Sequence, residues 1–289
     1  AKRVTILNQG QADLIVTSLD QFIKQKPNGK IVGSIDRTIG ADAVVLNTPK
    51  YSQLKSLIDL NQLVQQNRAA GKLKVTFAGD TPSEYLAFVL DTKFEAFNLA
   101  DFEVKKVTDA SEAWKLLQDP TQNVAIAVIW EPFVTQSRQK GYTVVLSSKD
   151  APTTIVDVLV ASDRLIQSQP ELLTKLLETY YRRIDTNRRD TSQLQKQIAQ
   201  DGNLQPNDAV AVLQGIDFFT AIEAKRWMSD DTLSKRIGAT AAVLSLAGQL
   251  EQIPTDPKGL YTSQFLSKAA ENTQVLIDLV RANDPDLAE

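Results

Sequence analysis

The first half of the chain alternates short apolar runs with amphipathic stretches. Asp13-Leu14-Ile15-Val16-Thr17, Ile31-Val32-Gly33-Ser34-Ile35 and Ala43-Val44-Val45-Leu46-Asn47 are rich in β-branched residues and bounded by polar or turn residues, so each predicts a strand. Lys74-Val75-Thr76-Phe77-Ala78-Gly79 predicts a further strand that runs into Asp80-Thr81-Pro82-Ser83-Glu84. There Thr81 reads as an N-cap, Pro82 as the first helical residue and Glu84 as the capping-box partner of a helix reaching Leu90. Glu103–Val107 predicts the next strand, and Asp109 with Glu112 the capped start of a helix holding Ala113, Trp114, Leu116 and Leu117. Asn123–Trp130 is almost continuously apolar, the pattern of a strand covered on both faces. Tyr142–Leu146 and Thr154–Val160 complete the strand series.

Beyond Ser162 the pattern turns helical. Ser168-Gln169-Pro170-Glu171 reads as a capping-box start, and Leu172, Leu173, Leu176, Leu177, Tyr180 and Ile184 follow at helical spacing as a core stripe. Pro206 opens another helix, and Thr232–Gln249 and Thr262–Asn283 predict two more. Strands and helices alternating at this spacing imply α/β units with largely parallel sheets. The 289 residues suffice for two cores at about 150 residues per domain. The expected architecture is therefore α/β, two lobes, with a helical C-terminal third.

Composition narrows the chemistry. The chain has no histidine and no cysteine. That removes the commonest acid/base group at neutral pH, the thiolate nucleophile, Cys/His zinc sites and disulfides. No cofactor and no metal are expected. The net charge is -3 and no basic face stands out, so nucleic acid is not an expected partner. The densest basic run, Tyr180–Arg189, reads as the solvated face and last turn of a helix. No run approaches the about 18 apolar residues of a membrane span. The chain opens Ala1-Lys2-Arg3-Val4 without Met or an apolar leader, as a processed or trimmed product would.

Four elements in order carry a resemblance. These are Gln9-Gly10-Gln11-Ala12-Asp13-Leu14, Ile39-Gly40-Ala41-Asp42-Ala43-Val44-Val45, Ala78-Gly79-Asp80-Thr81-Pro82-Ser83-Glu84-Tyr85-Leu86 and Ala127-Val128-Ile129-Trp130-Glu131-Pro132-Phe133. Together they resemble the solute-binding proteins of ABC transporters of the nitrate/sulfonate/taurine type, including thiamine-precursor binders; the Trp-Glu-Pro element is the most specific. The resemblance implies a type II periplasmic-binding-protein fold with mixed sheets. Lobe one would comprise residues 1–47 and 152–289, and lobe two residues 48–151. It also implies a cell-envelope location, a permease as partner and a small solute, anionic by the chemistry of helix ends, held between closing lobes. Family members begin with a β-α-β opening ahead of the element seen at Gln9-Gly10, so a partial pocket is expected. The chain is similar too to cyanobacterial envelope proteins in which such lobes join an OmpA-like domain. That likeness implies a peptidoglycan contact through a fused domain, with the junction near Asn283-Asp284-Pro285-Asp286.

Candidate ligand residues follow from strand ends and helix starts beside an inter-lobe crevice. Thr81 and Ser83, with Asp80, offer a helix N-terminus suited to an anion, although capping alone explains Thr81. Thr17, Ser18 and Asp20 follow a strand, where turn chemistry is the default for Asp20. Arg37 is a bidentate anion partner or a surface arginine, and Asp42 a site acid or a buried acid bonded to backbone amides. Trp130 offers an aromatic wall. Glu131 contacts ligand, bridges lobes or caps the next helix. Asp150 and Thr153 lie where the chain crosses back, and Trp114 and Trp227 read as core. Binding without catalysis leads; a related fold serves thiamine-pyrimidine synthesis, but that chemistry depends on a histidine absent here. A sensor or scaffold that keeps the fold without transport is the alternative.

Overall fold

The computed structural model of the chain describes residues 2–283. In chain order, the first half contains α1 (Lys2–Asn8), β1 (Leu14–Ser18), α2 (Leu19–Gln25), β2 (Gly29–Thr38), β3 (Asp42–Leu46), α3 (Leu57–Asn67), β4 (Lys74–Ala78), α4 (Pro82–Lys93), β5 (Glu103–Val107), α5 (Ala110–Gln118), β6 (Val124–Trp130), α6 (Phe133–Gln139) and β7 (Thr143–Ser147). The second half contains β8 (Val156–Ser162), α7 (Asp163–Ser168), α8 (Pro170–Arg189), α9 (Ser192–Asp201), α10 (Pro206–Gln214), β9 (Ile216–Phe218), α11 (Ala221–Ser229), α12 (Thr232–Leu246) and α13 (Gln264–Asn283). The expected junction beyond Asn283 lies outside the described residues.

The strands form two sheets. The first has the order β1-β8-β2-β9 and the second β5-β4-β6-β3-β7. The expectation of largely parallel sheets is corrected: every pairing in the first sheet is antiparallel, and β3 runs antiparallel to both β6 and β7. Only β4 pairs in parallel with its neighbours, β5 and β6, in the run β4–α4–β5–α5–β6. β3 and β8 reach their sheets by crossing between lobes and run antiparallel to the strands they join.

Sequence explains the placement. Val124 to Ile129 are all buried, as a central strand covered on both faces requires. β5 carries Glu103, Lys105 and Lys106 and lies at the sheet edge, where charges discourage further strand pairing. Asp109 caps α5 by accepting from the N–H groups of Ser111 (2.7 Å) and Glu112 (3.3 Å), and Trp114 and Trp227 are core residues. α4 is buried along its whole first two turns, Ser83 to Leu90, because it is enclosed by its own sheet and by α2 and α12.

Several expected boundaries move. β3 belongs to the second sheet, so the first crossing falls at residues 39–41 rather than after residue 47. The return crossing spans residues 148–155. Gly40 and Asp42 N–H both face the Ser148 hydroxyl (2.8 and 3.4 Å), and Ser148 N–H donates to the Asp42 carbonyl (2.8 Å), so the two crossings are tied together. Ile39 and Ala41 N–H donate to the Gly215 carbonyl, bringing a third segment against them. Ser168 ends α7 instead of capping α8, whose Gln169 N-cap makes no side-chain cap bond. The inner face of α8 is Leu173, Leu177, Tyr181 and Ile184, while Leu172 and Leu176 face solvent. The C-terminal third is helical apart from the three-residue β9, which completes the first sheet.

Candidate functional site

Strand ends of both sheets meet across the gap between them and enclose a cavity of about 520 Å³. The first sheet supplies Thr17 and Ser18 from β1, Thr38 from the end of β2 and Asp157 from the start of β8. The second supplies Asp42 and Trp130, which pair in register across β3 and β6, then Glu131, with Asp80, Thr81 and Pro82 from the turn into α4. Lys2, Arg3 and Val4 of α1, Gln21 and Gln25 of α2, Ala41, Ile155, Val212 and Ile216 complete the wall. Crevices at strand ends between α/β sheets are where such folds place ligands.

Carboxylates dominate its electrostatics. Asp42 is 5% exposed and accepts a hydrogen bond from the Ser83 hydroxyl (3.1 Å). Burial, then the like charges of Asp157, Asp20 and Glu131, push its carboxyl up to about 7 against that bond. Burial likewise raises Asp157, with Asp20 adding repulsion and Arg3 opposing it. Asp36, in register with Asp157, is raised well above the usual range by burial and then by Asp157, Asp42 and Asp217. Burial raises Asp20 despite bonds from Ser18 and Gln21. Burial also raises Glu131, whose oxygens accept from the Thr135 N–H and hydroxyl, both at 2.9 Å. Glu131 therefore caps α6 while its side chain borders the cavity; its peptide bond to Pro132 is cis.

Thr38 adds an unusual polar feature. Its residue is 8% exposed, it lines the cavity, and its hydroxyl has no hydrogen-bond partner. At the cavity's edge an ion-pair network joins the lobes. Lys24 of α2 reaches Asp80 (2.8 Å) and the buried Glu84 (3.5 Å), and Glu84 also pairs with Lys106. The Lys24 hydrogen bond holds Asp80 below the usual carboxylate range. Glu84 accepts from the Asp80 N–H (2.8 Å), not from Thr81, and the Thr81 hydroxyl donates to the Ala78 carbonyl (2.7 Å), so the expected capping box at Thr81 does not form.

Of the sequence candidates, the structure brings Thr17, Ser18, Asp42, Asp80, Thr81, Trp130 and Glu131 to the cavity wall. Five others lie elsewhere. Asp20 is buried in the first turn of α2, not in an open turn, and bonds Gln21 (2.8 Å). Ser83 is fully buried and committed to Asp42. Arg37 sits within β2, paired to Asp217 of β9 (2.5 Å) and stacked 5.2 Å from the Phe219 ring centre. Asp150 accepts from Ser147 in the return crossing, and Thr153 accepts from Arg236 of α12 (2.8 Å). Thr38 and Asp157 were missed, although a lone acid in the apolar run Ile155–Val160 is the signal that marks Asp157.

No protein-family model matches the chain, and no curated protein sequence matches it. Solved structures do match its fold. The periplasmic aliphatic sulphonate binding protein SsuA from Escherichia coli superposes with a TM-score of 0.68 at 16% identity, covering 90% of this chain and 79% of that one. The alkanesulfonate-binding protein SsuA from Xanthomonas axonopodis pv. citri, bound to MOPS, gives 0.63 at 17% identity, covering 86% and 80%. The desulfurization enzyme DSZB gives 0.64 at 12% identity, covering 90% and 85%. The architecture is the periplasmic-binding-protein fold, one antiparallel and one mixed sheet flanked by helices. Binding proteins and an enzyme share it.

Proposed function

We propose that the chain captures a small solute in the cleft between its lobes and presents it to the permease of an ABC transporter in the cell envelope, without catalysis. The observation that carries this reading is the cavity of about 520 Å³ bounded by strand ends of both sheets. Its size falls in the usual range for small-molecule sites. The lobes are linked through residues 39–41 and 148–155, the arrangement that lets two bodies close on a guest by a hinge. The likeness to the two SsuA proteins supports the binding reading, and the lack of histidine and cysteine supports binding over catalysis. A scaffold that has lost ligand binding would be favoured by a cleft packed with side chains.

A thermal-shift screen of nitrate, sulfonates, phosphonates, bicarbonate and pyrimidines against the purified chain tests the reading. A melting temperature that climbs with concentration of one chemical group is expected, because a ligand bound only by the folded state stabilises it by mass action. A flat response to every compound would favour the scaffold.

A further inference from the structure

We propose that the solute carries a positively charged nitrogen, of ammonium or amidinium type, seated between Asp42, Asp157 and the Trp130 ring. The inference rests on the solute-binding reading above and departs from the anion that the helix-end chemistry of the sequence suggests. Among the described residues, four carboxylates line the cavity (Asp42, Asp80, Glu131 and Asp157) against two cationic side chains, Lys2 and Arg3. Two of the acids are already satisfied: Asp80 by Lys24, and Glu131 by both groups of Thr135.

The other two are not. Asp42 receives one side-chain hydrogen bond, from Ser83, and among the described residues no hydrogen bond reaches the Asp157 carboxylate. Arg3 lies near enough to favour the charged form of Asp157, but its guanidinium also donates to the Val16 carbonyl (2.8 Å). Behind Asp157, its register partner Asp36 adds a further buried acid. Carboxylates gathered in a cleft with few donors are costly until a cation or a proton relieves them.

Two independent features point into the same place. The Thr38 hydroxyl lines the cavity more than nine-tenths buried and unpartnered, an acceptor for one N–H of a guest. Trp130 pairs in register with Asp42, so an indole and a carboxylate stand side by side on one wall, the combination that holds organic cations. A bare metal ion is not the guest these residues suit. Among the described residues, no group of three or more acids is arranged to hold one.

Isothermal titration of the full chain with matched probes tests this. The cationic set is ethanolamine, putrescine, benzamidine, protonated aminopyrimidines and the zwitterion taurine; the nitrogen-free set is ethanesulfonate and isethionate. At least one nitrogen-bearing probe is expected to bind, with the nitrogen-free set silent. Asp42→Asn and Asp157→Asn should each weaken that binding about 30-fold or more. Arg182→Lys, on the exposed face of α8 and not lining this cavity, should leave affinity within about threefold, and unliganded melting curves of each variant confirm folding. Binding of a nitrogen-free sulfonate, unchanged or tightened by Asp42→Asn, would overturn the inference while leaving solute capture standing. Silence from both sets would overturn the inference, and solute capture falls with it only where the thermal-shift screen is flat as well.

Discussion

Replacing Asp42 by Asn should stabilise the free protein at alkaline pH, because the wild-type residue is an acid held where its charge is disfavoured. Its carboxyl rises from 3.8 to about 7, chiefly through burial and then through Asp157, Asp20 and Glu131. The folded state therefore holds a proton that the unfolded chain has lost between those values. Stability from this group is intact below 3.8 and falls as pH climbs to about 7. The shift corresponds to a penalty of at most about 4 kcal/mol at pH 8, and about half of that is a realistic expectation for a group bordering a solvated cavity. The amide removes the penalty and keeps the Ser83 bond, since its carbonyl oxygen still accepts. Urea unfolding of both proteins at about pH 5 and about pH 8 measures the effect. Comparing the variant with wild type cancels the acids that Asp42 does not reach, and the relief of Asp36, which Asp42 raises, adds in the same direction. Asp42→Asn should gain about 2 kcal/mol at the higher pH and about 1 kcal/mol at the lower, where part of the penalty is already present. Equal stability of the two proteins at both pH values, or a loss confined to high pH, would refute the electrostatic reasoning.

Two further substitutions probe how the lobes are joined. Lys24→Met breaks the contacts to Asp80 and Glu84 and leaves the buried Glu84 with Lys106 as its cationic partner. A loss of about 1–3 kcal/mol in chemical unfolding is expected, with a larger radius of gyration by small-angle scattering if this bridge helps hold the cleft. Unchanged scattering and stability would remove the latch role. Gly215→Ala puts a Cβ 2.7 Å from the backbone of Ala41 in the first crossing. Separation of those segments should lower the melting temperature by several degrees, a cost of about 1–3 kcal/mol, and a neutral result would show that the crossing can yield.

The sequence made some elements legible because their determinants are local. The unbroken apolar run of β6 and the Asp109 cap lie within a few residues of what they specify, and both appear as expected. Other features depend on contacts far along the chain. Arg37 looks like a free cation until β9 brings Asp217, 180 residues away, against it. β9 itself is three residues long, too short for any periodicity to register. The antiparallel first sheet follows from crossings between lobes, which no alternation of strand and helix encodes. At the site, strand ends and helix starts were readable, so Thr17, Ser18, Asp42, Thr81, Trp130 and Glu131 reach the cavity wall. Which of them remained available was not readable, because Ser83 and Glu131 have their bonds met by Asp42 and Thr135. Thr38 and Asp157 face the cleft from the ends of β2 and β8, whose pairing shifts register twice along its length, which no local pattern encodes.

The most direct test of solute capture is native mass spectrometry of the chain purified without refolding. The account predicts a single additional small mass per chain that disappears on denaturation, and that is lost or weakened in Asp42→Asn. A bare chain mass in every preparation, with no adduct after incubation with the cationic and sulfonate sets, would contradict it.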